Sequence, residues 1–368
     1  MKKVLITLGA TGGHIFPAIS LLEAIEELDK GFDVRFVNSL NNKITIPNLR
    51  NDNTIYKINS VGFIGKSLSY KIKSLYSLLV SIIQSMKIIV NFAPDIIIGT
   101  GGFVSLPVAL SGLILKKRIY IVEGNSVPGL SNKIIALFCK KIFINFEESK
   151  KHFGEKKCVK SGFPIRKLRI NNEVDKDIDI LILGGSQGSK VLNNKITDSM
   201  YSLIEKIKKS QGRIYKFKVV HQCGSGNKVV IEKFYLDIKK EFPFFEFQVY
   251  EFINNIEVYY QRSKILISRA GASTISESLH FNLPSIYVPI KNSSGDHQFL
   301  NAEEVSSNEL GLMSVEKELS DVFLNKIHNL LYNQTIRDTI LKAMRKNAEV
   351  RNSDSAENII EGILEDVR

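Results

Sequence analysis

The chain has 368 residues, more than one compact core takes and enough for two α/β domains. A composition of 44% hydrophobic and 24% charged residues fits a folded soluble protein rather than a disordered chain. Lys plus Arg number 50 against 38 Asp plus Glu, a formal charge of +12 that favours phosphates, nucleic acid or an acidic membrane face, unless it marks only a lysine-rich surface. Cys139, Cys158 and Cys223 are odd in number and far apart, so they argue against a disulfide framework or a zinc site and read as free thiols in a reducing compartment.

The N-terminal MKKVLITLGA has the look of a signal peptide, but its apolar run is short and breaks at Gly12-Gly13. It reads as a buried strand over 4–8, a glycine turn over 9–14 and a helix over 15–28. Further strands are expected at 34–37, 95–98, 119–122 and 142–144, short apolar runs bounded by turn residues as in a parallel sheet. Between them, residues 67–91 place Leu68, Ile72, Leu75, Leu79, Ile82 and Ile83 at helical spacing, accompanied by Lys66, Lys71, Lys73 and Lys87. Periodicity alone favours a core helix with a lysine-rich outer face; a basic amphipathic segment lying in an anionic lipid surface is the other reading. No stretch offers about 18 uninterrupted apolar residues, so a soluble or peripheral protein is expected.

The pattern restarts with a strand at 178–183, a turn GGSQGS at 184–189 and a helix at 190–206. Strands at 219–221, 247–250, 265–267 and 285–288 follow. Two successive series, each opened by a glycine-rich loop, predict two doubly wound α/β domains facing each other across a cleft. The boundary belongs near Ser161-Gly162-Phe163-Pro164, giving domains 1–163 and 164–349, with a C-terminal helix at about 350–368 packing back on the first.

Three loops put small residues at a helix N-terminus, where free N–H groups and the helix dipole favour an anion. The first, Gly9 to His14, ends in a histidine whose pKa the dipole lowers, leaving it neutral and able to accept a proton. The second, 184–189, offers the Ser186 hydroxyl and the Gln187 amide, but has neither P-loop nor GxGxxG spacing. The third, RAGASTISE at 269–277, offers Ser273 and Thr274 to a diphosphate and Glu277 to the hydroxyls of a ribose. Asp296-His297-Gln298 suits sugar hydroxyls.

GATGGHIFPA near the start, GTGGFVSLPV at 99–108, GGSQGSKVLN at 184–193, RAGASTISE at 269–277 and DHQ at 296–298 together resemble the bacterial MurG family, in order over essentially the whole chain. The resemblance implies a GT-B fold and an inverting, metal-independent transfer with no cofactor. In that reaction the C4 hydroxyl of the muramyl sugar on lipid I attacks the anomeric carbon of UDP-N-acetylglucosamine, giving lipid II and UDP. It implies Thr11, Gly12 and Gly13 at the donor, with His14 as candidate base. Asn125 and Arg166 would lie beside the sugar, Ser186 at the nucleotide and the Ile253 backbone at uracil. Ala272, Ser273 and Thr274 would hold the diphosphate, Glu277 the ribose and Gln298 the sugar hydroxyls. It further implies a peripheral place on the cytoplasmic face of the inner membrane, an anionic membrane surface as partner, and the cell-wall and division machinery as candidate protein partners. Many members read His-Glu-Gln-Asn where this chain reads Val122-Glu123-Gly124-Asn125, which removes a histidine and a possible sugar contact.

Other GT-B glycolipid transferases and a UDP-GlcNAc epimerase are the nearest alternatives. No zinc-finger, RNP-like or recognition-helix pattern supports a nucleic-acid partner, and the glycine spacing disfavours a nicotinamide oxidoreductase.

Overall fold

A computed structural model describes residues 1–9, 12–28, 31–40, 54–60, 68–166, 171, 174–185, 188–211, 216–291, 294–318, 320–351 and 355–367. The chain divides into two units: Met1–Lys167 with Arg351–Arg368, and Leu168–Val350.

The first unit runs β1 (Lys2–Thr7), α1 (Gly12–Glu27), β2 (Phe32–Ser39), β3 (Ile55–Ile58), α2 (Leu68–Phe92), β4 (Ile96–Gly99), α3 (Ser105–Ile114), β5 (Arg118–Glu123), α4 (Leu130–Ile135), β6 (Lys141–Ile144), α5 (Lys150–Phe153) and β7 (Cys158–Lys160). Its sheet has the order β3-β2-β1-β4-β5-β6-β7, and every pairing is parallel. Central strands of a parallel sheet are covered on both faces, which is why Val4 to Ile6 and Ile96 to Ile98 are buried without alternation. Leu5, Val37, Ile97, Ile121 and Ile142 form part of one core cluster with residues of α2, α3 and α4.

The second unit runs β8 (Ile178–Leu183), α6 (Lys190–Gln211), β9 (Phe217–Gln222), α7 (Lys228–Glu241), β10 (Phe245–Tyr250), α8 (Ile256–Arg262), β11 (Ser263–Ser268), α9 (Ala272–His280), β12 (Ser285–Tyr287), α10 (His297–Ser307), β13 (Leu312–Met313), α11 (Ser320–Tyr332) and α12 (Gln334–Arg351). Its strand order is β10-β9-β8-β11-β12-β13, again parallel. In both units the order reverses beside the first strand, at β1/β4 and at β8/β11, and the loops leaving those strands define the crevice where such sheets bind ligands.

The last helix, α13 (Ser355–Glu365), belongs to the first unit and packs on α1. Lys141 Nζ at the start of β6 donates to Gly362 O (3.1 Å) and pairs with Asp366 (2.8 Å), placing a cation at the negative end of this helix.

Helix α2 departs from the core helix that its spacing favours. Ser74, Ser77, Ser81 and Ser85 are buried at 1–5% exposure, together with Ile89 and Phe92 near its C-terminal end, whereas Leu75, Tyr76, Leu79, Ile83 and Val90 are 55–69% exposed. Two of the serines find an acceptor beside them, since Ser77 and Ser81 both donate to Asn59 O, while Ser111 of α3 donates to the Ile82 carbonyl of α2. Buried hydroxyls so satisfied cost little, whereas the buried Ser85 Oγ makes no hydrogen bond among the described residues. Over Ser74–Phe92 the outward face is largely apolar, with Lys87 exposed on it. By mean hydropathy (1.5), the 19-residue stretch Ser74–Phe92 is long and apolar enough to cross a membrane, although polar residues interrupt it. Lys66 and the side chains of Leu68, Lys71, Ile72 and Lys73 lie outside the described residues.

Candidate functional site

In the first unit, the loops after β1 and β4 meet at His14. The imidazole Nδ1 lies 2.9 Å from Thr100 O. A carbonyl only accepts, so Nδ1 carries the proton and Nε2 keeps the lone pair, the form a general base needs. Burial lowers the pKa of His14 below its ordinary value of 6.5, opposed in part by the bond to Thr100. Two glycines make room for the ring. A Cβ at Gly9 would stand 2.4 Å from His14 Cβ, and one at Gly101, where φ is +98°, would stand 2.8 Å from His14 Cε1. Gly12 and Gly13 form the first residues of α1, and Thr11 lies outside the described residues.

At the end of the neighbouring β5, Glu123 is buried, and its carboxyl ties down the turn that follows. Oε1 accepts the main-chain N–H of Asn125 (2.9 Å) and its side-chain amide (3.4 Å), while Oε2 accepts Asn132 Nδ2 (2.9 Å). Burial raises the Glu123 pKa, and these amide donors oppose the rise. The half-buried Asn125 is thus held by its neighbour in sequence. Val122, in place of the family's histidine, is simply a buried strand residue. Arg166 stands with its guanidinium 4.7 Å over the Phe16 ring of α1, and its buried Nε makes no hydrogen bond among the described residues.

In the second unit, the loops after β8 and β11 meet at Arg269. Its Nε and Nη2 donate to Ser189 Oγ (2.9 and 2.5 Å), and its Nη1 pairs with Glu316 (2.7 Å) and reaches Val288 O (3.1 Å). One buried guanidinium therefore fastens the ends of two glycine loops to the segment after β12. Asn301 Nδ2 donates to Ala270 O (3.1 Å), bracing the same turn. Beyond it α9 begins at Ala272 behind Gly271, with Ser273 and Thr274 half-buried in its first turn and no side chain capping it. The N–H groups of Ala272, Ser273 and Thr274 have no partner within the helix, which makes this end an anion seat. Glu277, one turn in, is buried, and its Oε2 accepts the Tyr260 hydroxyl (2.8 Å).

The loop 184–189 is shaped by its backing: a Cβ at Gly188, where φ is +75°, would stand 2.6 Å from Cys223 O. Ser186 and Gln187 lie outside the described residues. The Ile253 N–H donates to Gln222 Oε1 (2.9 Å), so that amide has a protein partner in this structure. Gln298, in the first turn of α10, accepts the Ile290 N–H through Oε1 (3.1 Å), and Asp296 before it is exposed in left-handed backbone (φ 53°).

Sequence reasoning gave no role to Thr100, Glu123, Asn132, Gln222, Tyr260, Arg269 or Asn301. Thr100 and Arg269 stood inside motifs already singled out, GTGG and RAGAS, and that position was the only sign of them. Glu123 and Asn132 carry no local signal, since they stand nine positions apart.

Residues 4–144 match the Glycosyltransferase family 28 N-terminal domain, and residues 179–361 match the Glycosyltransferase family 28 C-terminal domain. The chain is 34% identical to the UDP-N-acetylglucosamine–N-acetylmuramyl-(pentapeptide) pyrophosphoryl-undecaprenol N-acetylglucosamine transferase of Sulfurihydrogenibium sp. (strain YO3AOP1), over 100% of this chain and 99% of that one. It is 32% identical to the enzyme of the same name from Clostridium tetani, over 98% of each. Among solved structures it is similar to Acinetobacter baumannii MurG, with a TM-score of 0.77 at 21% identity over 99% of this chain and 100% of that one. It is also similar to the Neisseria meningitidis UDP-GlcNAc 2-epimerase bound to UDP-GlcNAc, with a TM-score of 0.65 at 14% identity over 99% and 100%. Both likenesses speak to the fold, which transfer and epimerisation share.

Proposed function

Because the chain belongs to the family of UDP-N-acetylglucosamine–N-acetylmuramyl-(pentapeptide) pyrophosphoryl-undecaprenol N-acetylglucosamine transferases, we propose that it moves N-acetylglucosamine from UDP-N-acetylglucosamine to the C4 hydroxyl of the muramyl sugar of lipid I. The observation that carries the chemistry is the His14 tautomer, with Nδ1–H given to Thr100 O and the Nε2 lone pair kept. In this reading Nε2 takes the proton from the acceptor hydroxyl as its oxygen attacks the anomeric carbon, and the bond to the diphosphate breaks with inversion.

The departing diphosphate is assigned to the open end of α9, whose N–H groups stabilise charge where it develops. Glu277 takes the ribose hydroxyls, with Tyr260 fixing its other oxygen. Asn125, Arg166 and Gln298 are assigned to the sugar, Gly12, Gly13 and Thr11 to the donor, Ser186 to the nucleotide and Ile253 to the base. For the Ile253 N–H that assignment requires Gln222 to give way. No cofactor enters the scheme.

The acceptor is a polyprenyl lipid, and α2 supplies the surface we assign to the membrane. Leu75, Leu79, Ile83 and Val90 face outward, with Lys87 exposed on the same helix and the exposed Lys116, Arg118 and Lys140 in the same unit. An apolar face accompanied by cations suits an anionic bilayer. Ser77 and Ser81, bonded to Asn59, and the core residues Ile89 and Phe92 tie α2 to its own unit, which favours a peripheral attachment, on the cytoplasmic face of the inner membrane, over a spanning helix.

UDP release with UDP-N-acetylglucosamine, with and without a lipid I analogue and in EDTA, tests the proposal. Release that depends on the acceptor supports it. Release without acceptor, or interconversion of the donor at C2, would overturn it in favour of hydrolysis or epimerisation.

A further inference from the structure

The motif GTGGFVS at 99–105 enters the scheme above only through the carbonyl of Thr100, yet more of it bears on the candidate base. Thr100 holds His14 at two points. Its carbonyl accepts Nδ1–H (2.9 Å), and its hydroxyl lies 2.7 Å from Thr7 O and 3.0 Å from His14 O, the carbonyl of the same residue whose ring it orients.

Beneath it runs a chain of buried hydroxyls. Thr100 N donates to Thr7 Oγ1 (3.3 Å), and Thr7 Oγ1 and Ser105 Oγ share a hydrogen bond (2.7 Å). Ser105 Oγ donates to Gly101 O (2.7 Å) and accepts Gly101 N–H (3.1 Å). The protons can be assigned in one consistent direction: Thr7 donates to Ser105 and Ser105 to Gly101 O, leaving every donor with an acceptor. Thr7 and Ser105 are both fully buried, so water cannot replace a lost partner.

We infer that Thr100, braced by Ser105, is a positioning residue for His14: it fixes the Nδ1–H tautomer and aims Nε2 at the acceptor hydroxyl. The inference rests on the reading of His14 as general base. A main-chain carbonyl here does what a carboxylate does for other catalytic histidines, selecting the tautomer without adding a charge. The hydroxyl network keeps that carbonyl in place, since Gly101 and Gly102, with φ of +98° and +77°, give the loop no rigidity of their own.

The test compares Thr100→Val, Thr100→Ser and Ser105→Ala. Valine keeps the shape of threonine and removes the hydroxyl; serine restores it. Expected for Thr100→Val and Ser105→Ala is a fall in kcat of about tenfold or more with the KM for UDP-N-acetylglucosamine within about twofold, and recovery of most of kcat in Thr100→Ser. The acid limb of kcat/KM should move to lower pH as the bond that favours the imidazolium weakens.

A second measurement needs no turnover. With nitrogen-15 in the six histidines, the His14 ring shifts report which nitrogen carries the proton. Wild type and Thr100→Ser should show a single Nδ1–H form, and Thr100→Val a mixture of both tautomers. A Thr100→Val protein that keeps a pure Nδ1–H signal and wild-type kcat overturns the inference, as does a loss of activity that serine does not recover. If the wild type transfers no sugar, the functional reading fails, while the tautomer measurement still decides whether Thr100 orients His14.

Discussion

Gly124 and Phe163 occupy one another's space: a Cβ on Gly124 would lie 2.4 Å from Phe163 Cε2 and 2.8 Å from Cδ2. The missing glutamine side chain of the family pattern is thus no empty place. A buried aromatic ring stands there, next to the turn that carries Asn125.

The two positions should therefore be energetically coupled. Gly124→Ala forces the ring aside and is expected to cost about 1–3 kcal/mol in urea unfolding. Phe163→Ala alone leaves a cavity and should cost about 3–5 kcal/mol. In the double variant the methyl enters space the ring has left, so the combined loss should fall short of the sum by more than about 0.5 kcal/mol. Additive losses would show that the ring does not constrain residue 124.

His14→Ala should lower kcat by about a hundredfold or more while leaving the affinity for UDP-N-acetylglucosamine within about twofold. The base works in its neutral form, and burial holds its pKa below 6.5. Activity should accordingly hold steady from neutral pH down past 6.5 and fall only as the pH drops through the lowered value. A stopped-flow or coupled assay across pH reads this directly; an acid limb above 6.5, or parallel losses in donor binding, would count against the base assignment.

Glu277→Ala removes a carboxylate that is buried and tied by one oxygen to Tyr260. A hydrogen bond to a charged group contributes about 1.5–3 kcal/mol, so UDP should bind roughly 10- to 100-fold more weakly in a calorimetric titration. Tyr260→Phe leaves the carboxylate in place and should weaken UDP far less. Unchanged UDP affinity in Glu277→Ala would remove the ribose assignment.

Replacing Leu79 and Ile83 by serine touches side chains that are more than half exposed, so folding should be nearly unaffected. Each apolar side chain that enters a bilayer contributes about 1.5–3 kcal/mol, and the pair should lower the partition onto anionic vesicles by more than about tenfold. Turnover on a water-soluble acceptor analogue should stay at the wild-type rate. Vesicle binding equal to that of the parent would place the membrane contact elsewhere.

His221 sets an acid limit on stability. It is fully buried between the Tyr235 hydroxyl (3.0 Å) and Asn193 Oδ1 (3.1 Å), and burial lowers its pKa to about 3. Unfolding returns it to an ordinary value near 6.5, so below that pH the unfolded chain binds the extra proton. Its contribution is fully present above about pH 6.5 and is lost progressively as the pH falls toward 3. His221→Gln should flatten that part of the melting-temperature profile; an unaltered slope would assign it to the carboxylates.

Much of this protein was already written along the chain. The runs VLIT, IIIG and ILIL are apolar without alternation because central parallel strands are covered on both faces, and that pattern appears in any local window. The glycine loops and the residues that close them, His14 and Glu277 among them, were legible because a turn that must approach a ligand needs glycine wherever it occurs. The edge strands β3, β7 and β13 were not, because they are only partly buried and lack the continuous apolar run that marks the equally short β4. The face that α2 turns inward was not legible either. Spacing marks its leucines and serines equally, and the carbonyl of Asn59, brought from another part of the chain, is what receives Ser77 and Ser81. The same holds for Thr100 with His14, Glu123 with Asn132 and Arg269 with Ser189: hydrogen bonds between distant residues leave no trace in local pattern, because the chain has to fold before their atoms meet.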